Sequence, residues 1–175
     1  MILTFDPSSS AIGFAAMRSP GDLAQVGIIR PEQPKASALT RLPDMLDEAR
    51  ALVLDIIPSA IAIEMPGKHA RKHGKQTGAA LGIYGAACGM VWQLCRMLAY
   101  WPDERLKGMQ VLAVDSGQWS RSSKEARHLG VHAQFPMYRR LRDPGMDASD
   151  AVALAQWFFG QQALNKQATQ ERIAV

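Results

Sequence analysis

The chain has 175 residues, 47% apolar and 21% charged; this is the length of one ordinary domain and the composition of a globular protein, which excludes a disordered tail or a disulfide-stapled mini-protein. Twenty Lys and Arg against sixteen Asp and Glu give a formal net charge of +4. The charge is uneven: residues 68–75 carry four basic residues and no acid, and residues 118–142 carry six against Glu125 alone, on an otherwise acidic body.

Two basic segments read either as solvated surface loops or as the footprint of a polyanion, with nucleic acid the leading partner class. The opening Met-Ile-Leu-Thr-Phe has no basic stretch and stops at Asp6, so neither a secretory signal nor a transit peptide is expected.

In chain order, Ile2–Phe5 is a short apolar run ending at Asp6-Pro7-Ser8-Ser9-Ser10. Gly13–Met17 and Leu23–Ile29, split by Pro20-Gly21, supply two more strands. Leu42, Leu46, Ala49, Val53 and Ile56 recur at steps of three and four, which predicts an amphipathic helix with Pro43 in its first turn and Pro58 closing it. Ala60–Ile63 is a buried strand ending on Glu64. A polar loop follows, with Thr77 as the cap of a helix over Gly78–Tyr100.

The most apolar part of that helix, Ala79–Trp92, is fourteen residues long. It falls short of a bilayer span, so a buried helix and no membrane are expected. Cys88 and Cys95, two helical turns apart, are too distant for a bridge and read as buried apolar residues of a cytoplasmic protein. Gly78, Gly82, Gly85 and Gly89 form a stripe that weakens the helix, which suggests another backbone packed closely against it. Met90, Met97, Trp92 and Trp101 read as core or interface residues.

Gln110–Val114 is a fifth strand, and Asp115 after it reads as turn chemistry. A basic, Ser-rich segment with a short helix near Ser123–Leu129 leads to a last helix over Ala148–Leu164. Three strands, helix, strand, helix, strand, helix describe an α/β protein: a five-stranded mixed sheet with helices on both faces, forming one domain over residues 1–175. No repeat or linker divides it.

Four acids are candidates for one site at the strand ends: Asp6, Glu64, Asp147 and Asp150. The last two are three residues apart, hence about 60° and about 4.5 Å apart on a helix, and can face one point. Singly, each reads as turn or cap chemistry. Together they would repel near a core unless a cation neutralised them. Mg2+ takes such oxygen ligands, and two ions can drive phosphodiester hydrolysis. His69 and His73 could hold zinc from one helix face, but with no Cys or acid beside them they read as loop histidines that assist phosphate contact.

Asp6-Pro7-Ser8-Ser9-Ser10-Ala11-Ile12-Gly13-Phe14, Ala62-Ile63-Glu64, Lys124-Glu125-Ala126 and the run Asp147-Ala148-Ser149-Asp150-Ala151-Val152-Ala153-Leu154-Ala155 resemble, in order and spacing, the RuvC-type Holliday junction resolvases. The resemblance implies an RNase H-like fold, a homodimer, and Mg2+-dependent cleavage (Mn2+ as substitute) that places paired nicks in four-way DNA junctions. It implies Asp6, Glu64, Asp147 and Asp150 as the catalytic, metal-binding tetrad. Lys124 corresponds to a basic residue near the cleaved strand, and the glycine-striped helix to one that helps form the dimer. Lys68, Arg71, Lys72, Lys75, Arg121 and Lys124 are the expected DNA contacts.

Ser8 stands where the family usually has glycine. Residues 65–77 contain no Phe, Tyr or Trp, where the bacterial enzymes carry an aromatic that wedges into the junction. Trp119 is followed by Ser120 rather than the Lys of phage-type members. The competing readings are an RNase H-like nuclease acting on other branched DNA or RNA/DNA hybrids, and a junction-binding protein whose acids are structural. An ATPase is disfavoured because 175 residues leave no room for two nucleotide-clamping lobes.

Overall fold

The structure is a computed structural model that describes residues 1–67 and 78–173, with side chains in the last helix described to residue 165. Lys68, His69, Arg71, Lys72, His73, Lys75 and Thr77 therefore lie outside the described residues.

Strands β1 (Ile2–Pro7), β2 (Ile12–Ser19), β3 (Asp22–Ile29), β4 (Ala60–Met65) and β5 (Gln110–Asp115) form one mixed sheet in the order β3-β2-β1-β4-β5. The β1–β2 and β2–β3 pairs are antiparallel; β1–β4 and β4–β5 are parallel. Helices α1 (Ala38–Ile56) and α2 (Gly78–Ala99) pack on one face. Helix α5 (Asp147–Ile173) covers the other, with α4 (Lys124–Gln134) beside it and the single turn α3 (Ser116–Trp119) after β5. The expected α/β sheet with helices on both faces is the observed one.

Side-chain alternation assigns the faces. Leu3, Phe5, Ile61 and Ile63 point to α1 and α2, against Met45, Ala49, Val53, Val91 and Cys95. Ile2, Ala60 and Ala62 point to α5, against Leu154 and Phe158. Burying each of the Leu, Ile, Val, Phe and Met side chains among these contributes about 1.5–3 kcal/mol, so the two faces together hold the sheet between its helices. Thr4, buried among them, donates its hydroxyl to Ala151 O at 2.7 Å and binds α5 to the central strand. Both cysteines are free and buried, and burial pushes both thiols up to about 12.

Several elements differ from expectation. Strands β1 and β4 run past Phe5 and Ile63, so Asp6 and Glu64 belong to the ladder rather than to turns after it. Asp6 pairs with Gly13 and Glu64 with Val114. Helix α1 starts earlier, because Ser37 accepts the Thr40 amide at 3.3 Å, which moves Pro43 into the second turn. There its missing N–H forgoes one helical hydrogen bond.

Helix α2 is half-buried, not buried. Ala87, Cys88, Val91, Cys95 and Leu98 face the sheet, whereas Ile83, Met90 and Met97 on α2 are exposed, as is Trp101 just beyond it. Its 22 residues are long and apolar enough to cross a membrane by length and composition alone, beyond the fourteen expected. The packed face is that of a helix lying on a sheet. A Cβ added at Gly78, Gly82, Gly85 or Gly89 would meet nothing within 4 Å, so among the described residues no intrachain backbone packs on the stripe.

Candidate active site

The parallel register that ends with Phe5 opposite Ile63 carries the next residues of both strands, Asp6 and Glu64, out to the same sheet end. Alternation turns Asp6 to the α5 side with Ile2 and Thr4. Helix α5 reaches that point because position 13 is glycine: a Cβ there would stand 2.2 Å from the backbone carbonyl of Asp147. Asp147 and Asp150 in the first turn then face the strand ends. All four acids line one open cleft of about 490 Å³ with Tyr84, Ser120, Lys124 and Arg127. The structure thus brings together the four acids and Lys124 chosen from the sequence. Arg121 is exposed just past Ser120, on the way from α3 to α4.

Lys124 is the first residue of α4, whose cap is Ser123, with its hydroxyl accepting from Ala126 N at 3.2 Å. Its ammonium lies 3.0 Å from Asp147 Oδ1, 3.1 Å from Asp150 Oδ2 and 3.9 Å from Asp6 Oδ2. One turn later, Arg127 Nε donates to Asp150 Oδ1 at 2.7 Å. The guanidinium lies 5.0 Å from the centre of the Trp119 ring and also donates to Ser120 Oγ at 2.9 Å and to the Ser122 carbonyl. Sequence reading missed Arg127. Its signal was the i, i+3 spacing from Lys124, which puts two cations on one helix face.

Burial and the Glu64 charge push the Asp6 carboxyl well above its ordinary value, with Lys124 opposing. Glu64 is pushed up to about 7 by burial and by Asp150, against Lys124, Arg127 and a hydrogen bond with Tyr84. Asp147 is also raised, mainly by burial. Burial alone would lower the Lys124 ammonium, but Asp6, Asp150 and Asp147 outweigh it and hold it above its usual range. These are the marks of carboxylates short of positive charge.

The donor set fits a hard divalent cation. Every candidate ligand is a carboxylate oxygen, four acids face two cations, and Glu64 Oε2 is buried with no hydrogen-bond partner among the described residues. As they stand, no three His, Cys, Asp or Glu side chains of the described residues are grouped to hold an ion. Three of the four carboxylates are turned onto the Lys124 ammonium instead.

Comparison with protein-family models and with curated proteins gives no match. Among solved structures, T. thermophilus RuvC in complex with a Holliday junction substrate superposes with TM-score 0.62 at 17% identity, over 93% of this chain and 96% of that one. A second Thermus thermophilus RuvC structure gives 0.58 at 18% over the same shares. The yeast mitochondrial Holliday junction resolvase Ydc2 gives 0.53 at 10%, over 95% and 82%. What this chain shares with them is the fold, over nearly its whole length.

Proposed function

We propose that the chain is a divalent-metal-dependent endonuclease that cuts four-way DNA junctions as a homodimer. The observation that supports the reading best is the convergence of Asp6, Glu64, Asp147 and Asp150 from two adjacent strands and one helix into a cleft that also holds Lys124 and Arg127. The fold is shared with a RuvC described in complex with a Holliday junction substrate.

Asp6, Glu64, Asp147 and Asp150 would hold Mg2+ or Mn2+, which when bound supplies electrostatic stabilisation of the phosphoryl charge and makes water a better nucleophile. Asp6 and Glu64 contribute from the rigid sheet; Asp147 and Asp150 close the set from α5. Arg127 keeps one oxygen of Asp150 engaged and so fixes which oxygen faces the cleft. Lys124 is the cation that reaches three of the carboxylates and would pair with a phosphate oxygen once their charge is met. Water adds to phosphorus, the bond to the 3′ oxygen breaks and that oxygen takes up a proton, leaving 5′-phosphate and 3′-hydroxyl ends. Arg121 and the basic residues Lys68, Arg71, Lys72 and Lys75 supply charge for the DNA backbone.

The outward face of α2 supports pairing with a second copy. Its glycines leave room for a close approach, and Ile83, Met90 and Met97 offer apolar surface beside them. A two-fold axis would give two clefts for two cuts.

The test is nicking of an end-labelled four-way junction by the purified chain, compared with a flap, an RNA/DNA hybrid and a linear duplex, in Mg2+ and in EDTA. Paired Mg2+-dependent nicks in the junction are expected, and Asp147→Asn should slow them by about 10²–10³-fold, the loss of a few kcal/mol of transition-state stabilisation. Preferential cleavage of flap or hybrid moves the assignment to another substrate. Junction binding in EDTA with no cleavage in Mg2+ makes it a binding protein.

A further inference from the structure

The first turn of a helix leaves backbone N–H groups without partners, and a nearby carboxylate is the usual one to take them. Asp147 and Asp150 lie in the first turn of α5, so they are the nearest candidates, and a carboxylate used that way would be turned from the cleft. The structure shows a different arrangement. Met146, which precedes the helix with φ 58°, has no side-chain oxygen to offer. The Ser149 amide is instead accepted at 3.1 Å by Asp143 Oδ2, from the other end of the Asp143-Pro144-Gly145-Met146 turn. That turn is closed by Met146 N donating to Asp143 O at 3.1 Å, and the Ser149 hydroxyl returns to Met146 O at 2.8 Å.

Asp143 is itself held. It is 8% exposed, and its Oδ2 also accepts the Tyr138 hydroxyl at 2.8 Å. That hydroxyl, having given its proton to Asp143, receives one from His128 Nδ1 at 2.7 Å. His128 sits one turn beyond Lys124 on α4. A single chain of hydrogen bonds therefore runs from the helix that carries Lys124 and Arg127 to the amide at the start of the helix that carries Asp147 and Asp150. Asp143 Oδ1 has no partner among the described residues, a cost that a merely decorative contact would not carry. Gly145 adds to the arrangement: a Cβ there would lie 2.8 Å from Asp147 Oδ2, so its absence leaves space for that carboxylate where it stands.

We infer that Asp143, braced by Tyr138 and His128, is a positioning residue: it occupies the α5 amide and thereby keeps Asp147 and Asp150 available to the cleft. The inference rests on the proposed function, since it gives those two acids a ligand to receive.

The test uses the full chain and two readouts, Mg2+ binding by titration calorimetry and junction nicking, with circular dichroism to follow the fold. Asp143→Ala should weaken Mg2+ binding by about 10–100-fold, the usual effect of removing a group that orients a metal ligand, with nicking falling in parallel. Asp143→Asn keeps an accepting oxygen for Ser149 and should stay within about threefold of the unaltered chain, a rescue that a purely packing role would not give. Tyr138→Phe keeps the ring and removes the brace. It should cost several-fold in Mg2+ affinity with an unchanged circular dichroism spectrum, and it decides the matter if Asp143→Ala does not fold. Unaltered Mg2+ affinity in folded Asp143→Ala, or in Tyr138→Phe if that is the folded one, overturns the inference and leaves the nuclease reading intact. An unaltered chain that neither binds Mg2+ nor nicks a junction overturns both.

Discussion

Lys124 Nζ and Asp147 Oδ1 are 3.0 Å apart and join the first residues of two helices, α4 and α5, across the cleft. The same ammonium is within 4 Å of Asp6 and Asp150, so it offsets repulsion among three buried or half-buried carboxylates. Removing one partner of such a cluster leaves charge uncompensated. Because the Lys124 side chain is 37% exposed, solvent screening reduces the cost, and Lys124→Gln should destabilise the metal-free protein by about 1–3 kcal/mol. Mg2+ should return most of that loss. Thermal melts in EDTA and in Mg2+ check it; a variant that melts with the unaltered chain in both would mean that Lys124 carries no such charge burden.

Glu64 gives a pH dependence of definite sign. Its carboxyl stands at about 7 in the fold against an ordinary 4.5, so the folded state holds the proton more tightly than the unfolded chain. The stability this supplies is complete below about pH 4.5 and is lost as pH rises through about 7. Glu64→Gln, which cannot ionise, should therefore be more stable than the unaltered metal-free chain at pH 8, by on the order of 2–3 kcal/mol, and equal to it near pH 4. Mg2+ should stabilise the unaltered chain more at pH 8 than at pH 5. Denaturant titrations at the three pH values decide it, and an equal gap at all three would contradict the buried-charge account.

Gly13 makes a prediction of pure geometry. A methyl group there would overlap the Asp147 carbonyl and come within 2.6 Å of Ala148 N, and both obstacles are backbone. Gly13→Ala should therefore move the start of α5 off the sheet, at a cost of about 2–4 kcal/mol, and weaken Mg2+ binding with it. Gly21→Ala provides the control: that glycine, with φ 86°, has no neighbour within 4 Å, so its cost should come from the backbone alone and leave Mg2+ binding unchanged. Equal effects on binding would refute the close-approach argument.

Salt dependence tests the basic segments. For every phosphate left without its cation, the slope of log K against log salt should become shallower by about 0.9. Arg121→Ala should remove one such step, and joint replacement of Lys68, Arg71, Lys72 and Lys75 by Ala up to about four steps. Fluorescence anisotropy with a junction in EDTA measures binding without cleavage. A slope unaffected by the joint replacement would return residues 68–75 to the solvated-loop reading.

Much of the site was legible because it depends on short-range periodicity. Alternation along β1 and β4, a parallel crossover and the three-residue step from Asp147 to Asp150 suffice to bring four carboxylates to one sheet end. Apolar runs under-reach at their polar ends, which is why Asp6 and Glu64 read as turn residues although the ladder includes them. The helix start at Ala38 depended on the Ser37 cap, and the polar or exposed positions before Leu42 hid it. Arg127 and Asp143 were missed for another reason. Arg127 meets Asp150 across a loop and a 3-10 turn, a pairing that its i, i+3 spacing from Lys124 does not encode, and Asp143 meets Tyr138 and Ser149 within an irregular turn where no helix or strand period applies. The glycine stripe suggested a close neighbour, and the described chain supplies none.

The parallel β1–β4 pair leaves the two halves of the cleft unequally stiff. Asp6 and Glu64 extend a hydrogen-bonded ladder at the centre of the sheet, where separation is set by the interstrand spacing of about 4.8 Å and strands open only when the whole fold does. Asp147 and Asp150 stand on a helix start whose Ser149 amide is held by one side chain from a turn, with Thr4 bonded to Ala151 O just beyond and Lys124 and Arg127 paired with the two carboxylates. Amide exchange should thus be slowest at Phe5 and Ile63 and distinctly faster at Ser149. A ligand entering the cleft would find two carboxylates carried by the sheet ladder and two whose ion pairs with Lys124 and Arg127 must exchange, so rearrangement of the backbone on binding should be greater on the α5 side.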